Sequence, residues 1–193
     1  MVSSGLAPST ARTDMASSGL APGITGSLIY RVRSRDLVTN LFPGSAEFTR
    51  KPAVLATGVL VALCEWPAMD ALRRFISDDE DSLGTRVSIS HQAPVWAGTK
   101  LTITARCASV TGRASRWDVS AYDGTRTVAS GCVEFAVVRT AAFLERHLPH
   151  IPRPADSPTH RTFKYQSQQE NAKGDPDLVI TCGSGKSHPM VRT

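Results

Sequence analysis

From Val54 to Phe75 the chain carries one long helical pattern whose apolar residues run nearly all the way round. Such a helix cannot rest on a surface with one face in water; it has to be wrapped by the rest of the fold. Every side chain from Val59 to Trp66 is apolar except Glu65. A lone carboxylate in those surroundings must find a partner, shift its pKa or serve chemistry, because an unpaired buried charge is costly. Pro67 lies inside the same pattern and removes a backbone donor, at a cost of about 3 kcal/mol to a regular helix, so a kink or irregular turn is expected there. Thr57 stands where it would cap the helix start.

The wrapping material is a set of strands. Leu28, Tyr30 and Val32 alternate with polar residues and suggest an opening strand. After the acidic link Asp78-Asp79-Glu80-Asp81, read as an exposed loop, four strands follow: Thr85 to about Val95, Lys100–Val110, Ser115–Tyr122 and Thr127–Val138. In the second, Leu101, Ile103, Ala105 and Cys107 share a face; in the third, Trp117, Val119 and Ala121 do. Thr111-Gly112-Arg113 and Asp123-Gly124 are hairpin signals. One strand, one long apolar helix and an antiparallel meander make an α+β chain. A curved antiparallel sheet folded around the helix is the economical arrangement, and that is the hotdog fold.

The domain occupies residues 27–148. Residues 1–26 read as a flexible leader, in which Met1-Val-Ser-Ser-Gly-Leu-Ala-Pro8 recurs as Met15-Ala-Ser-Ser-Gly-Leu-Ala-Pro22. Residues 149–193 read as a Pro-rich polar tail whose one apolar patch is Leu178-Val179-Ile180. Cys182-Gly-Ser-Gly-Lys-Ser187 ends like a phosphate-binding loop, but Ile180 stands where that motif needs its first glycine. The net charge of +5 is scattered, with no basic stripe, no aromatic-basic interleaving and no zinc spacing, so nucleic acid and metal are not expected. Cys64, Cys107, Cys132 and Cys182 form no CxxC pair and read as thiols of a reducing, cytoplasmic setting. No run is apolar enough to span a bilayer, and the chain does not open on a secretory signal pattern.

Period two then aims His91. Val87, Ile89 and His91 share one strand face, which should cover the helix, so His91 is expected to face the same interior as Glu65. Thr57 and Glu65 lie two helical turns apart on roughly one side. A helix N-terminus adds free N–H groups and a partial positive charge suited to an oxyanion, and Thr57 could serve there as cap, substrate donor or nucleophile. Gly84, at a helix-to-strand junction, permits close backbone approach to a ligand.

Thr57-Gly58, Glu65-Trp66, Ser82-Leu83-Gly84-Thr85, His91 with Ala93-Pro94, and Ser120-Ala121-Tyr122-Asp123-Gly124 occur in an order and spacing that resembles the hotdog-fold acyl-CoA thioesterases of the fluoroacetyl-CoA thioesterase type. The likeness covers about residues 35–145. It implies that Thr57, Glu65 and His91 are catalytic, that Gly84 and Gly58 bind substrate, that no cofactor is needed, and that the chain is a homodimer or a dimer of dimers with sites near the subunit interface. Lys51 stands where the family carries an aromatic lid residue and Phe135 where it carries a late arginine, so a halogen-selective pocket is not implied. The expected activity is hydrolysis of a short-chain acyl-CoA to free acid and CoA. The alternative is a non-catalytic acyl-CoA-binding module. A hotdog hydratase would pair an aspartate with a nearby histidine, and no aspartate stands so near His91.

Overall fold

The computed structural model of the protein describes residues 19–147 and 179–183. The first eighteen residues, with most of the duplicated segment, and residues 148–178 and 184–193 lie outside the described residues. Six strands make one antiparallel sheet in the order β2-β5-β4-β3-β1-β6. They are β1 (Thr25–Arg31), β2 (Glu80–His91), β3 (Lys100–Thr111), β4 (Ala114–Tyr122), β5 (Thr127–Arg139) and β6 (Val179–Gly183). The central helix α3 (Thr57–Arg73) follows two single-turn helices, α1 (Val38–Leu41) and α2 (Ala46–Thr49), and α4 (Thr140–His147) closes the meander. Helix α3 contacts all five strands from β1 to β5. This is the α+β hotdog architecture that its apolar pattern demands.

The core lies between the helix and the concave sheet face. Leu60, Leu63, Cys64, Ala68, Ala71 and Leu72 are buried from the helix side. They meet Leu28 of β1, Leu101, Ile103 and Ala105 of β3, and Trp117, Val119 and Ala121 of β4, all buried and all on the faces that alternation assigns them. The Trp117 ring is completely buried, and its indole N–H donates to Ser115 Oγ at 3.0 Å, which satisfies the one polar atom it carries inward. Both hairpin glycines are in left-handed conformation, Gly112 at φ 57° and Gly124 at φ 98°.

Four features depart from the sequence reading. The helix runs through Pro67 as one element of seventeen residues. Strand β2 begins at Glu80, within the segment read as an exposed acidic loop, and ends at His91 rather than near Val95. The acids there are held: Arg113 reaches Glu80 at 2.6 Å, and the guanidinium keeps the Glu80 carboxyl below its ordinary range. The expected start of the domain at residue 27 is late, because Leu20 is already buried, the Gly23 N–H and Cys107 C=O pair at 2.9 Å, and β1 opens at Thr25. Val179–Gly183, assigned to the tail, pairs with β1 from Thr25↔Gly183 to Ile29↔Val179 and forms one edge of the sheet. Short-range pattern could not reveal this strand, because its partner lies some 150 positions away in sequence.

Gly26 is where helix and sheet come closest. A Cβ at that position would stand 2.1 Å from the carbonyl oxygen of Pro67, which is backbone and cannot swing aside. Gly26→Ala should therefore force β1 and α3 apart and destabilise the fold by about 1–3 kcal/mol. Gly44→Ala, where a Cβ meets nothing within 4 Å, should stay within about 0.5 kcal/mol of the parent. Paired denaturant titrations check this; equal midpoints for the two variants would contradict the contact.

Candidate active site

The entry to α3 is built by hydrogen bonds rather than by a cap. Asp36, buried in the segment after β1, accepts from the Tyr30 hydroxyl at 2.7 Å and from the Arg33 N–H at 2.8 Å. Its own carbonyl accepts from the Ala56 N–H at 3.0 Å, while the Leu55 N–H donates to Val95 C=O at 2.8 Å. Two strand-like anchors thus fix the residue that precedes the helix. Ala56 is the N-cap and makes no side-chain capping bond; Thr57 is the first helical residue.

Thr57 is therefore not the cap expected from its position. Its Oγ1 lies 3.0 Å from Nδ1 of His91, the last residue of β2. A hydroxyl that would otherwise close the helix end is turned across to an imidazole, the arrangement of an activated nucleophile or a proton-transfer pair. The other ring nitrogen, Nε2, is buried and has no hydrogen-bond partner among the described residues. The Leu60 N–H bonds Ala56 C=O, so the N–H groups of Thr57, Gly58 and Val59 precede the helix's own ladder and point at the same end. A cavity of ≈ 370 Å³ opens there, with Thr57 and His91 in its wall beside Val38, Lys51, Pro52 and Val54.

Glu65 is half-buried rather than enclosed. Loss of solvent pushes its pKa above the ordinary carboxylate value. Gly84 faces it: a Cβ on Gly84 would come to 3.0 Å from Glu65 Oε1 and 4.0 Å from the Phe135 ring. The missing side chain is what leaves room for the carboxyl, and Phe135, where the family arginine was sought, is core. Glu65 does not join His91 within the chain. It lies eight residues along the helix from Thr57, about 12 Å of axial rise, and no hydrogen bond or ion pair links it to either residue among those described. Shared helix and strand faces foretold the right side of each element but not the level along it.

Val87, expected on the covered face with His91, is 41 % exposed. The ladder from Arg86 to His91 runs without a shift, so Val87, Ile89 and His91 keep one face, and the position of β2 at the edge of the sheet leaves Val87 open. Gly58 lies in open space next to Thr57, outside the cavity wall. The sequence reading missed Asp70, one turn beyond Glu65. Burial raises its pKa against the opposing effect of a hydrogen bond from Trp66, and its Oδ2 is buried without a partner among the described residues. Cys64, beside Glu65, is a buried thiol pushed up to about 12, which removes it as a nucleophile near neutral pH. No helix among the described residues is long and apolar enough to cross a membrane.

The family model described as fluoroacetyl-CoA-specific thioesterase matches residues 38–141. The fluoroacetyl-CoA thioesterase of Streptantibioticus cattleyicolor is 41 % identical over 106 residues, 55 % of this chain and 76 % of that one. Among solved structures, the fluoroacetyl-CoA thioesterase FlK superposes with a TM-score of 0.67 at 35 % identity, covering 70 % of this chain and all of that one. A hot-dog-like protein from Thermanaerovibrio acidaminovorans, at 23 % identity, TM-score 0.59 and coverage of 68 % and 93 %, shares the fold. The chain belongs to the fluoroacetyl-CoA-specific thioesterase family, and it is a thioesterase of the hotdog fold.

Proposed function

We propose that the chain hydrolyses the thioester bond of a short acyl-CoA, with Thr57, His91 and Glu65 as the reacting set. The observation that carries this reading is the 3.0 Å contact between the Thr57 hydroxyl and His91 Nδ1, made at a helix N-terminus and opening into a cavity. A variant of the related FlK has been solved with acetyl-CoA, which supports a CoA thioester as the substrate class.

The thioester carbonyl enters at the start of α3. The N–H groups of Thr57 and Gly58 and the helix dipole stabilise the oxyanion that forms as the carbon is attacked. His91 takes the proton from the attacking oxygen, either that of Thr57 or that of a water, and returns it to the departing CoA sulfur. The acyl carbon gains a C–O bond and loses its C–S bond, leaving free acid and CoA. If Thr57 attacks, a second round with water releases the acid and regenerates the hydroxyl. Glu65 stabilises the charged imidazole, and Gly84 gives its carboxyl room.

Within one chain Glu65 is too far along the helix to do this, which supports a homodimer whose sites are shared. His91 of one protomer is then served by Glu65 of the partner subunit. The exposed edge of β2, with Val87 41 % exposed, and the outer side of α3, with Met69 37 % exposed, are the surfaces available for such pairing.

Thiol release from a panel of acyl-CoAs tests the reading. Thr57→Ala, His91→Ala and Glu65→Gln should each lower kcat/KM by about two to four orders of magnitude. Tight binding without turnover on any thioester would favour a binding module instead. Mixing the subunits is a sharper test of the shared site. Dimers of one Glu65→Gln chain and one His91→Ala chain should recover activity, because one of their two sites holds both intact residues; no recovery would return Glu65 to its own chain's site.

The raised pKa of Glu65 has a thermodynamic signature. Its folded-state pKa lies above the unfolded value of about 4.3, so the protonated form favours the fold, and this contribution is lost as pH rises through the folded pKa. Glu65→Gln should therefore be more stable than the parent at neutral pH, with the gap closing as pH falls below about 4. Thermal midpoints across that range decide it; equal midpoints for variant and parent at pH 7 would show that the carboxylate carries no desolvation cost there.

A further inference from the structure

Lys51 lies in the wall of the cavity that holds Thr57 and His91. It is exposed, and among the described residues its ammonium has no ion pair or hydrogen bond, whereas its neighbour Arg50 is tied to Glu47 at 2.6 Å. The cavity wall contains no aspartate or glutamate. The acids in the neighbouring segments are engaged, Asp36 by Tyr30 and the Arg33 N–H and Glu47 by Arg50. Arg126, which reaches the Pro94 carbonyl behind the wall, is paired with Asp123. Among the wall residues of this chain, Lys51 is thus the one lysine or arginine, beside Val38, Pro52, Val54, Ala93 and Pro94.

Resting on the thioesterase reading above, we propose that Lys51 selects an acyl group ending in a carboxylate, so that the preferred substrate is the CoA monothioester of a short dicarboxylic acid. The other anions that a CoA thioester carries are its nucleotide phosphates. The pantetheine arm, however, sets those phosphates far from the thioester, while Lys51 shares one cavity with the pair that attacks it. A terminal carboxylate on a short chain is within the same space as the reacting carbonyl. Lys51 forms the charge-assisted bond that holds it, and the apolar wall covers the methylenes between.

The test is the ratio of kcat/KM for succinyl-CoA to that for butyryl-CoA, which differ by the terminal charge at similar length. Lys51→Ala should lower the ratio about tenfold, the size expected for one hydrogen bond to a charged group. Lys51→Arg should keep the ratio near the parent value, and Lys51→Glu should lower it beyond the alanine variant. A ratio that does not move in Lys51→Ala overturns the proposal. If both substrates fall together, and acyl-pantetheine thioesters lacking the nucleotide do not, Lys51 serves the CoA phosphates and the carboxylate reading is wrong. Loss of all turnover in the parent, on neutral and charged thioesters alike, would instead remove the hydrolase reading and this one with it.

Discussion

Burial of α3 is the condition on which the rest of the molecule depends. Its apolar residues face several directions, so no single flat layer could cover them. The sheet curves, and five strands touch the helix. Close contact requires that something be left out at the tightest point, and Gly26 supplies that absence against the Pro67 carbonyl. The buried Trp117, Leu101 and Leu28 then fill what remains. A helix enclosed in this way has its N-terminus held in a fixed place, and a fixed N-terminus can be used for chemistry.

The fixed place is set by a second, smaller device. Asp36 holds Tyr30 and Arg33 with its carboxylate and Ala56 with its carbonyl, so the chain entering the helix is anchored from β1 and needs no side-chain cap. Thr57 is thereby released to meet His91. The anchoring of the helix start and the contact with His91, the first of which sequence position alone would have assigned to the Thr57 hydroxyl, are divided between two residues twenty-one positions apart. Farther along, desolvation acts on two carboxyls, Glu65 and Asp70, that find no ion pair among the described residues. Unsatisfied groups of this kind gather where a structure is built to receive something else.

Much of this was legible in the residues. Alternation placed Leu101, Ile103, Ala105 and Cys107, and Trp117, Val119 and Ala121, on the buried face because period two is a local property of the backbone. The long helix, its start and the two hairpin turns were local as well. Glu65 and His91 were singled out as well, since a lone Glu in an apolar run and a His on an apolar strand face are both conspicuous. What escaped depends on distance in space. Alternation says which side His91 faces but not that it stands level with Thr57 rather than Glu65. Asp36 looks like any loop acid until Tyr30 and Ala56 are seen around it. The acidic start of β2 read as loop because its partner Arg113 lies thirty-three residues on.

The C-terminal strand changes how the sheet meets the outside. β6 follows the matched family residues, 38–141, and lies against β1, whose far side would otherwise offer a row of open backbone groups. β2 and β6 are then the two terminal strands of the sheet among the described residues. An edge of seven residues has become one of five, and a shorter edge offers fewer backbone groups to a neighbouring strand. The sheet is thus left with one long edge, the twelve residues of β2, and one short edge, the five of β6, so that edge-to-edge contact has a preferred side.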